Sequence, residues 1–314
     1  MQIISNPDVI ARGTFNDTAV TIGVFDGIHR GHAEVIRTLI GAKCAEGRSA
    51  SILLTFDTHP LAVTHPEMVP PLLTTLDEKL HVLAAMGIDC VVVERFSKET
   101  AGIDYHEYIA ERLVGLLGMK HLVVGYDFHI GRGREGSQER LVEEASVLDF
   151  AVTIVPPVVL QGSVISSTKI RRDIIERRLE HAARRLGRPY FFEAVVVRGE
   201  GLGRSVSFPT ANAVVASRDK LLPPGGAYAV EVEWRDRRHG GMMNIGSAPT
   251  IHTDGERHIE IHIFDFAGEL YGELIRVHCL QFMREERRFG SAEELRAQLM
   301  QDRETACVIL QKKH

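Results

Sequence analysis

Two imidazoles open the chemistry this chain can offer. The segment Gly23-Val24-Phe25-Asp26-Gly27-Ile28-His29-Arg30-Gly31-His32 places His29 and His32 three residues apart, so both can project from one side of a helical turn. So placed, they can donate to phosphate oxygens and neutralise charge as it develops. Gly27 and Gly31 let a substrate come close to the backbone, and Gly23, Phe25 and Asp26 complete a loop suited to a phosphate at a helix start. Taken alone, the pair fits a solvated helix face or a metal site equally well, although no third ligand lies at recognisable spacing. A second group, Ser166-Ser167-Thr168-Lys169-Ile170-Arg171, combines hydroxyls with an Arg at a helix start, which suits a bidentate grip on phosphate. A third is Glu260, a carboxylate that can take a proton from an attacking hydroxyl. Alternation alone reads Glu260 as half of a cross-strand pair on a solvated face, or with His258 and His262 as a metal site. Gly199-Glu200-Gly201-Leu202-Gly203-Arg204 is Gly-rich without the Lys-Ser/Thr of a Walker A loop, and alone it reads as a flexible hairpin.

The elements that must position these groups change character along the chain. Ala19–Val24, Ala50–Phe56, Cys90–Val93, His121–Gly125 and Ala151–Val155 are short apolar runs of the kind buried on both faces of a parallel sheet. Amphipathic stretches separate them. Arg30–Cys44 has helical spacing with Gly47 as its stop, and Thr75 with Glu78 forms a capping box for a helix that Gly87 closes. This alternation predicts a Rossmann-like α/β domain, whose ligands bind at the carboxyl ends of the strands. Ser166–Arg178 and Leu179–Leu186 read as charged helices ending at Gly187 and Pro189, which sets the domain boundary at 186/187. Beyond it the period is two. Tyr228, Val230, Val232 and Trp234 face one way, with Ala229, Glu231 and Glu233 opposite. Ile259, Ile261 and Ile263 are expected in the core. This half predicts an antiparallel sheet or small barrel, followed by a helix opened by the capping box Ser291-x-x-Glu294.

The bulk properties narrow the classes. At 314 residues, 44% apolar and 25% charged, the chain has room for two ordinary globular domains. A net charge of −5 offers no general field for nucleic acid or an anionic membrane. The basic run Lys169–Arg188 lacks interleaved aromatics for stacking on bases. Cys44, Cys90, Cys279 and Cys307 form no CxxC pair, which fits a reducing compartment. No signal peptide and no membrane-length apolar run are apparent, so a cytoplasmic enzyme without nucleic-acid or membrane partners is expected. The sequence fixes no oligomeric state and is compatible with a monomer.

The loop GxFDGxHxGH and the later SSTKIR segment resemble the nucleotidyltransferase superfamily marked by HxGH. Thr55-Phe56-Asp57-Thr58-His59-Pro60 and Gly125-Tyr126-Asp127-Phe128-His129-Ile130-Gly131 narrow the likeness to its FAD synthetase branch, although Thr58 stands where Pro is usual and Ile130 where an aromatic is usual. The second half resembles riboflavin kinase. The Gly-rich segment is followed by Phe208-Pro209-Thr210-Ala211-Asn212, then Asn244-Ile245-Gly246, Pro249-Thr250, Glu260–Phe266, Leu270-Tyr271-Gly272 and Arg284-x-Glu286-x-x-Phe289. Glu193, Ser207 and Ala227 depart from the usual Gly, Gly and Val.

The resemblance implies that riboflavin is phosphorylated to FMN and FMN adenylylated to FAD, with ATP and Mg²⁺. It implies catalytic roles for His29, His32, Arg171 and Glu260. It implies phosphate contacts from Gly23, Phe25, Asp26, Gly27, Gly31, Ser166, Ser167, Thr168, Gly199, Gly203 and Arg204. Flavin would be bordered by His59, Pro60, Asp127, Phe128 and Arg284, and Mg²⁺–ATP held by Thr210 and Asn212. The adenylyl-transferring domain would span 1–186 and the kinase domain 187–314. A chain with only one active half, and a flavin-sensing binder without turnover, are the alternatives.

Overall fold

Each of the five apolar runs forms a strand. The strands are β2 Thr18–Ile22, β3 Ala50–Phe56, β4 Cys90–Glu94, β5 Met119–Gly125 and β6 Ala151–Val155, and the short edge strand β1 Gln2–Ile4 joins them. The computed structural model describes residues 1–198, 208–235, 237–247 and 257–312. All six strands are parallel, in the order β1-β4-β3-β2-β5-β6. From β2 the chain adds β3 and β4 on one side, then returns to add β5 and β6 on the other. The carboxyl ends of β2 and β5 therefore flank a topological switch point, where an open α/β sheet leaves a crevice for a ligand.

Both faces of the sheet are covered, which is why the strands read as continuous apolar runs. Ala19, Leu53, Val91 and Val123 bury one face against helices α1 (Arg30–Glu46) and α3 (Leu76–Ala84). Val20, Ile52, Leu54, Val92 and Leu122 bury the other against Ile109, Leu113 and Leu141. Helix α1 stops at Gly47, whose φ of 65° is left-handed and costs glycine little. The short helix α2 (Pro60–Thr64) leads towards α3, whose capping box is complete. The Glu78 amide donates to Thr75 Oγ1 at 3.3 Å, and the Thr75 amide to Glu78 Oε2 at 2.9 Å. This unit runs from Met1 to Ser166.

The second unit, Ser167–His314, is built on a closed antiparallel barrel. After the short antiparallel pair β7 Val159–Leu160 and β8 Ser163–Val164 that closes the first unit, its strands are β9 Tyr190–Val197, β10 Ala211–Val215, β11 Gly226–Trp234, β12 Arg237–Ser247, β13 Arg257–Ile263 and β14 Leu274–Arg284. They close in the order β10-β13-β12-β11-β14-β9. Ile259 and Ile261 are buried as expected, while Ile263 is only half-buried. Along β11 both faces are covered. Tyr228, Val230 and Val232 fill the inside, and Ala229 packs outside with Met242, Phe264 and Ala306 of the terminal helix Ala292–Gln311. Ser291 caps that helix, but Glu294 accepts from the Gly290 amide at 2.9 Å instead of from Ser291, so the box is shifted by one residue.

Helices Ser167–Ile175 and Leu179–Leu186, read from sequence as part of the first domain, compact with the barrel. Arg177 makes a forked ion pair with Glu285, at 2.6 and 2.8 Å, and lies over the Phe282 ring. Buried Asp173 accepts from both Arg178 and Arg185, tying the two helices together. These links between distant residues leave no local trace in the sequence.

Candidate functional site

In the first unit the loop after β2 has an unusual backbone. Phe25, Gly27 and Ile28 have φ of 50°, 81° and 37°, and only the second is a glycine. Positive φ at a β-branched residue stores strain and persists only where the surroundings hold it. Asp26 supplies part of that hold. Its buried carboxylate accepts from the amides of Leu73 and Thr74 at 3.1 and 2.9 Å, while the Gly27 amide donates to Thr74 Oγ1 at 3.0 Å. Asp26, expected among the phosphate contacts, thus anchors the loop to the turn before α3.

The loop delivers His29 to the N-cap of α1. Its Nδ1 accepts from the His32 amide at 3.2 Å, so the ring proton sits on Nε2 as a donor. The His32 ring stacks on it with centroids 3.7 Å apart and planes 15° apart, and Phe25 meets His32 edge-on. Gly31 leaves room for this stack, because a Cβ there would lie 3.1 Å from the His29 ring and press on it. The result is a helix N-terminus at the switch point with two imidazoles over it. Such a site attracts anions through the free amides and the helix dipole.

The neighbouring strand ends agree. His59 caps α2, its Nδ1 accepting from the Leu61 amide at 3.2 Å, with Pro60 as the first helical residue. After β5, Asp127 and Phe128 lie in a turn closed by the Phe128 amide on the Gly125 carbonyl at 3.2 Å. Ile130 is buried and bridges to Gly136, so an aliphatic side chain fills its place in the core. Ser166 ends the first unit. Ser167, Thr168 and Arg171 belong to the opening turns of the helix that begins the second, and Arg171 is buried.

One residue in this region was missed from sequence. Lys79 of α3 shares the apolar face of Leu76, Leu80 and Leu83, and it is 5% exposed. Its Nζ donates to Thr55 Oγ1 at 3.1 Å and faces the Phe56 carbonyl at 3.5 Å. Burial pushes its ammonium down to about 8, against the opposing pull of Asp26 and Asp57.

In the barrel, register does what spacing could not. Glu260 of β13 lies directly opposite Asn212 of β10 on one side and Asn244 of β12 on the other. The three side chains therefore share one face as a row. Asn212 Oδ1 is buried and has no hydrogen-bond partner among the described residues, as an oxygen kept for a ligand would be. His258 Nδ1 lies 3.5 Å from Glu260 Oε1. His262 donates from Nδ1 to the Pro209 carbonyl at 2.8 Å, between Phe208 and Phe264, and so fixes the segment that carries Thr210. Thr210 lines a cavity of about 290 Å³ with Val196, Ile261, Phe266 and Tyr271. Among the described residues no group of three or more His, Cys, Asp or Glu could hold a metal ion, which removes the support for a His-Glu-His site.

Arg284, expected beside flavin, is tied to the terminal helix. Its guanidinium reaches Asp302 of the terminal helix at 2.9 and 2.7 Å and the Glu285 carbonyl at 2.9 Å, latching that helix to β14. Gly199, Gly203, Arg204 and Ser207, together with Pro249 and Thr250, lie outside the described residues.

Known proteins match both halves. A family model described as FAD synthetase matches residues 12–169, and one described as riboflavin kinase matches residues 186–310. The chain is 36% identical over 310 residues to a bifunctional riboflavin kinase/FMN adenylyltransferase of Escherichia coli (strain K12), covering 98% of this chain and 97% of that one. A Bacillus subtilis (strain 168) protein of the same description is 31% identical over 309 residues, 96% of each chain. A crystal structure from Streptococcus pneumoniae, described as a macrolide-efflux protein, superimposes with a TM-score of 0.86 at 31% identity over 97% of each chain. Among the described residues of the present chain, no helix is long and apolar enough to cross a membrane.

Proposed function

The chain belongs to the family of bifunctional riboflavin kinase/FMN adenylyltransferases, and on that footing we propose how its residues share two successive transfers. The enzyme phosphorylates riboflavin to FMN with ATP, then adenylylates FMN to FAD and releases pyrophosphate. We assign adenylyl transfer to residues 1–186 and phosphoryl transfer to residues 187–314.

In adenylyl transfer an FMN phosphate oxygen attacks the α-phosphorus of ATP, and the bond to the β-phosphate oxygen breaks. No protein nucleophile is needed, so catalysis is alignment and neutralisation of charge. His29 donates from Nε2, because its Nδ1 is held by the helix cap. His32, stacked on the His29 ring, carries the positive charge that balances the departing pyrophosphate. Gly23, Phe25, Gly27 and Gly31 shape the cradle, and Asp26 acts by holding it. Ser166, Ser167, Thr168 and Arg171 keep the phosphate-binding roles that the signature implies. His59, Pro60, Asp127 and Phe128 border the flavin and adenine.

In phosphoryl transfer the terminal ribityl hydroxyl of riboflavin attacks the γ-phosphorus of ATP, and the bond to the β,γ-bridging oxygen breaks to release ADP. Glu260 takes its proton, with Asn212 and Asn244 setting the carboxylate from either side. Thr210 and Asn212 offer oxygen donors that fit a hard cation, the orphaned Asn212 Oδ1 most clearly. Mg²⁺ held there would neutralise charge on the ATP phosphates. Gly199, Gly203 and Arg204 would cover those phosphates, and Arg284 contributes by keeping the terminal helix on the barrel.

The observation that supports this reading most is the direct pairing of Asn212 with Glu260. Asn212→Ala is expected to raise the Mg²⁺ concentration for half-maximal riboflavin phosphorylation on the order of tenfold or more. The requirement of FMN adenylylation should not move. A Mg²⁺ titration of both reactions checks this, and an unchanged kinase midpoint would remove Asn212 from the cation site.

A further inference from the structure

The strained loop that sets His29 and His32 is gripped at two places, and the second grip starts from a buried cation. Lys79 Nζ donates to Thr55 Oγ1 at 3.1 Å, and that hydroxyl donates in turn to the Val24 carbonyl at 3.3 Å. Val24 directly precedes Phe25, the first of the loop residues with positive φ. The other grip, Asp26 on the amides of Leu73 and Thr74, comes from the turn that leads into the same helix α3. Helix α3 therefore holds the loop from both sides.

We propose that Lys79 is a positioning residue for adenylyl transfer, fixing the loop Val24–Ile28 through the Thr55 hydroxyl and balancing the Asp26 and Asp57 carboxylates beside a site that must take up polyphosphate. The inference rests on the assignment of this site to adenylyl transfer.

Three observations carry it. Thr55 is fully buried, so its hydroxyl is set by protein groups alone: the lysine donates to its oxygen while its proton goes to the Val24 carbonyl. Asp26 and Asp57 are the carboxylates whose charges act on Lys79, and both lie at the strand ends where the triphosphate must enter. Without a compensating cation they would repel it. The ammonium is also a buried charge, which is costly away from water, and it is held by two neutral oxygens, Thr55 Oγ1 and the Phe56 carbonyl. A stabilising role in the core does not account for a lysine there; a role in holding the site does.

The test uses the full chain with Lys79→Met, Thr55→Val and Thr55→Ser. With FMN and ATP, Lys79→Met should lower kcat for FAD formation by roughly 10- to 100-fold, because misplacing the catalytic pair weakens the transition state. KM for ATP should move by less than about threefold. Riboflavin phosphorylation should stay within about twofold of the parent, and the melting temperature should not fall. Thr55→Val should reproduce the direction of the kcat loss, and Thr55→Ser should restore the parent rate. Parent-like kcat in Lys79→Met would overturn the proposal. So would a parent-like Thr55→Val beside an impaired Lys79→Met, or loss of both activities together with a lower melting temperature. A parent chain that forms no FAD from FMN would instead overturn the assignment of the site itself.

Discussion

His32→Ala, given FMN and ATP, should form FAD about 10³-fold more slowly than the parent chain, while riboflavin phosphorylation keeps its rate. The magnitude follows from the place of the ring. His32 is half-buried over a helix N-terminus and stacked on His29, where the proposed mechanism has it take positive charge as pyrophosphate departs. Losing one donor or proton-transfer group aimed at developing charge costs two to four orders of magnitude, roughly. Alanine is favourable in a first helical turn, and the ring contacts with His29 and Phe25 are lost with the imidazole. His29→Ala is a poorer probe, because it also removes the helix cap. Product formation followed by chromatography checks the prediction, and a parent-like rate of FAD formation would remove His32 from catalysis.

Glu260→Ala should do the reverse. Riboflavin phosphorylation should fall by roughly 10²- to 10⁴-fold, the usual range for losing a general base, with FAD formation from supplied FMN unchanged. The Glu260 side chain is partly exposed, between two asparagines across the strands, so truncation leaves no buried charge uncompensated. Glu260→Gln keeps the shape and hydrogen-bonding reach without the basicity, and should be as inactive. An active Gln variant would make Glu260 a positioning group and leave the base elsewhere. Either outcome also bears on the sensor alternative, since a protein that only binds flavin has no turnover for this change to remove.

Much of the architecture was legible because burial on both faces turns parallel strands into unbroken apolar runs. All five such runs are strands, and the Thr75–Glu78 box and the Gly47 stop lie where local chemistry puts them. β1 was not legible. It is a three-residue edge strand, too short to display a period. The alternation along β11 is present, but burial of its second face was not legible: Ala229 packs under the terminal helix and Glu231 is buried beside Arg238. Helices Ser167–Ile175 and Leu179–Leu186 compact with the barrel through Arg177 and Glu285, residues far apart in the chain.

The same division holds at the sites. The His29–His32 spacing, and the hydroxyls and Arg of SSTKIR, are local and could be read directly. The roles of Asp26, Lys79, Asn244 and Arg284 depend on which distant backbone or side chain faces each one. Asp26 meets Leu73 and Thr74, Asn244 meets Glu260, and Arg284 meets Asp302. Lys79 shows the limit most clearly. Its spacing puts it on the apolar face with Leu76, Leu80 and Leu83, but the partner of its ammonium, Thr55, is visible only in the fold.

The most direct test of the central claim is a time course of riboflavin with excess ATP and Mg²⁺ and the purified full chain, separated by chromatography. FMN should rise first and then give way to FAD, in that order and without added enzyme. Riboflavin left untouched while supplied FMN becomes FAD would contradict an active kinase barrel, and FMN that accumulates without FAD would contradict an active adenylyltransferase.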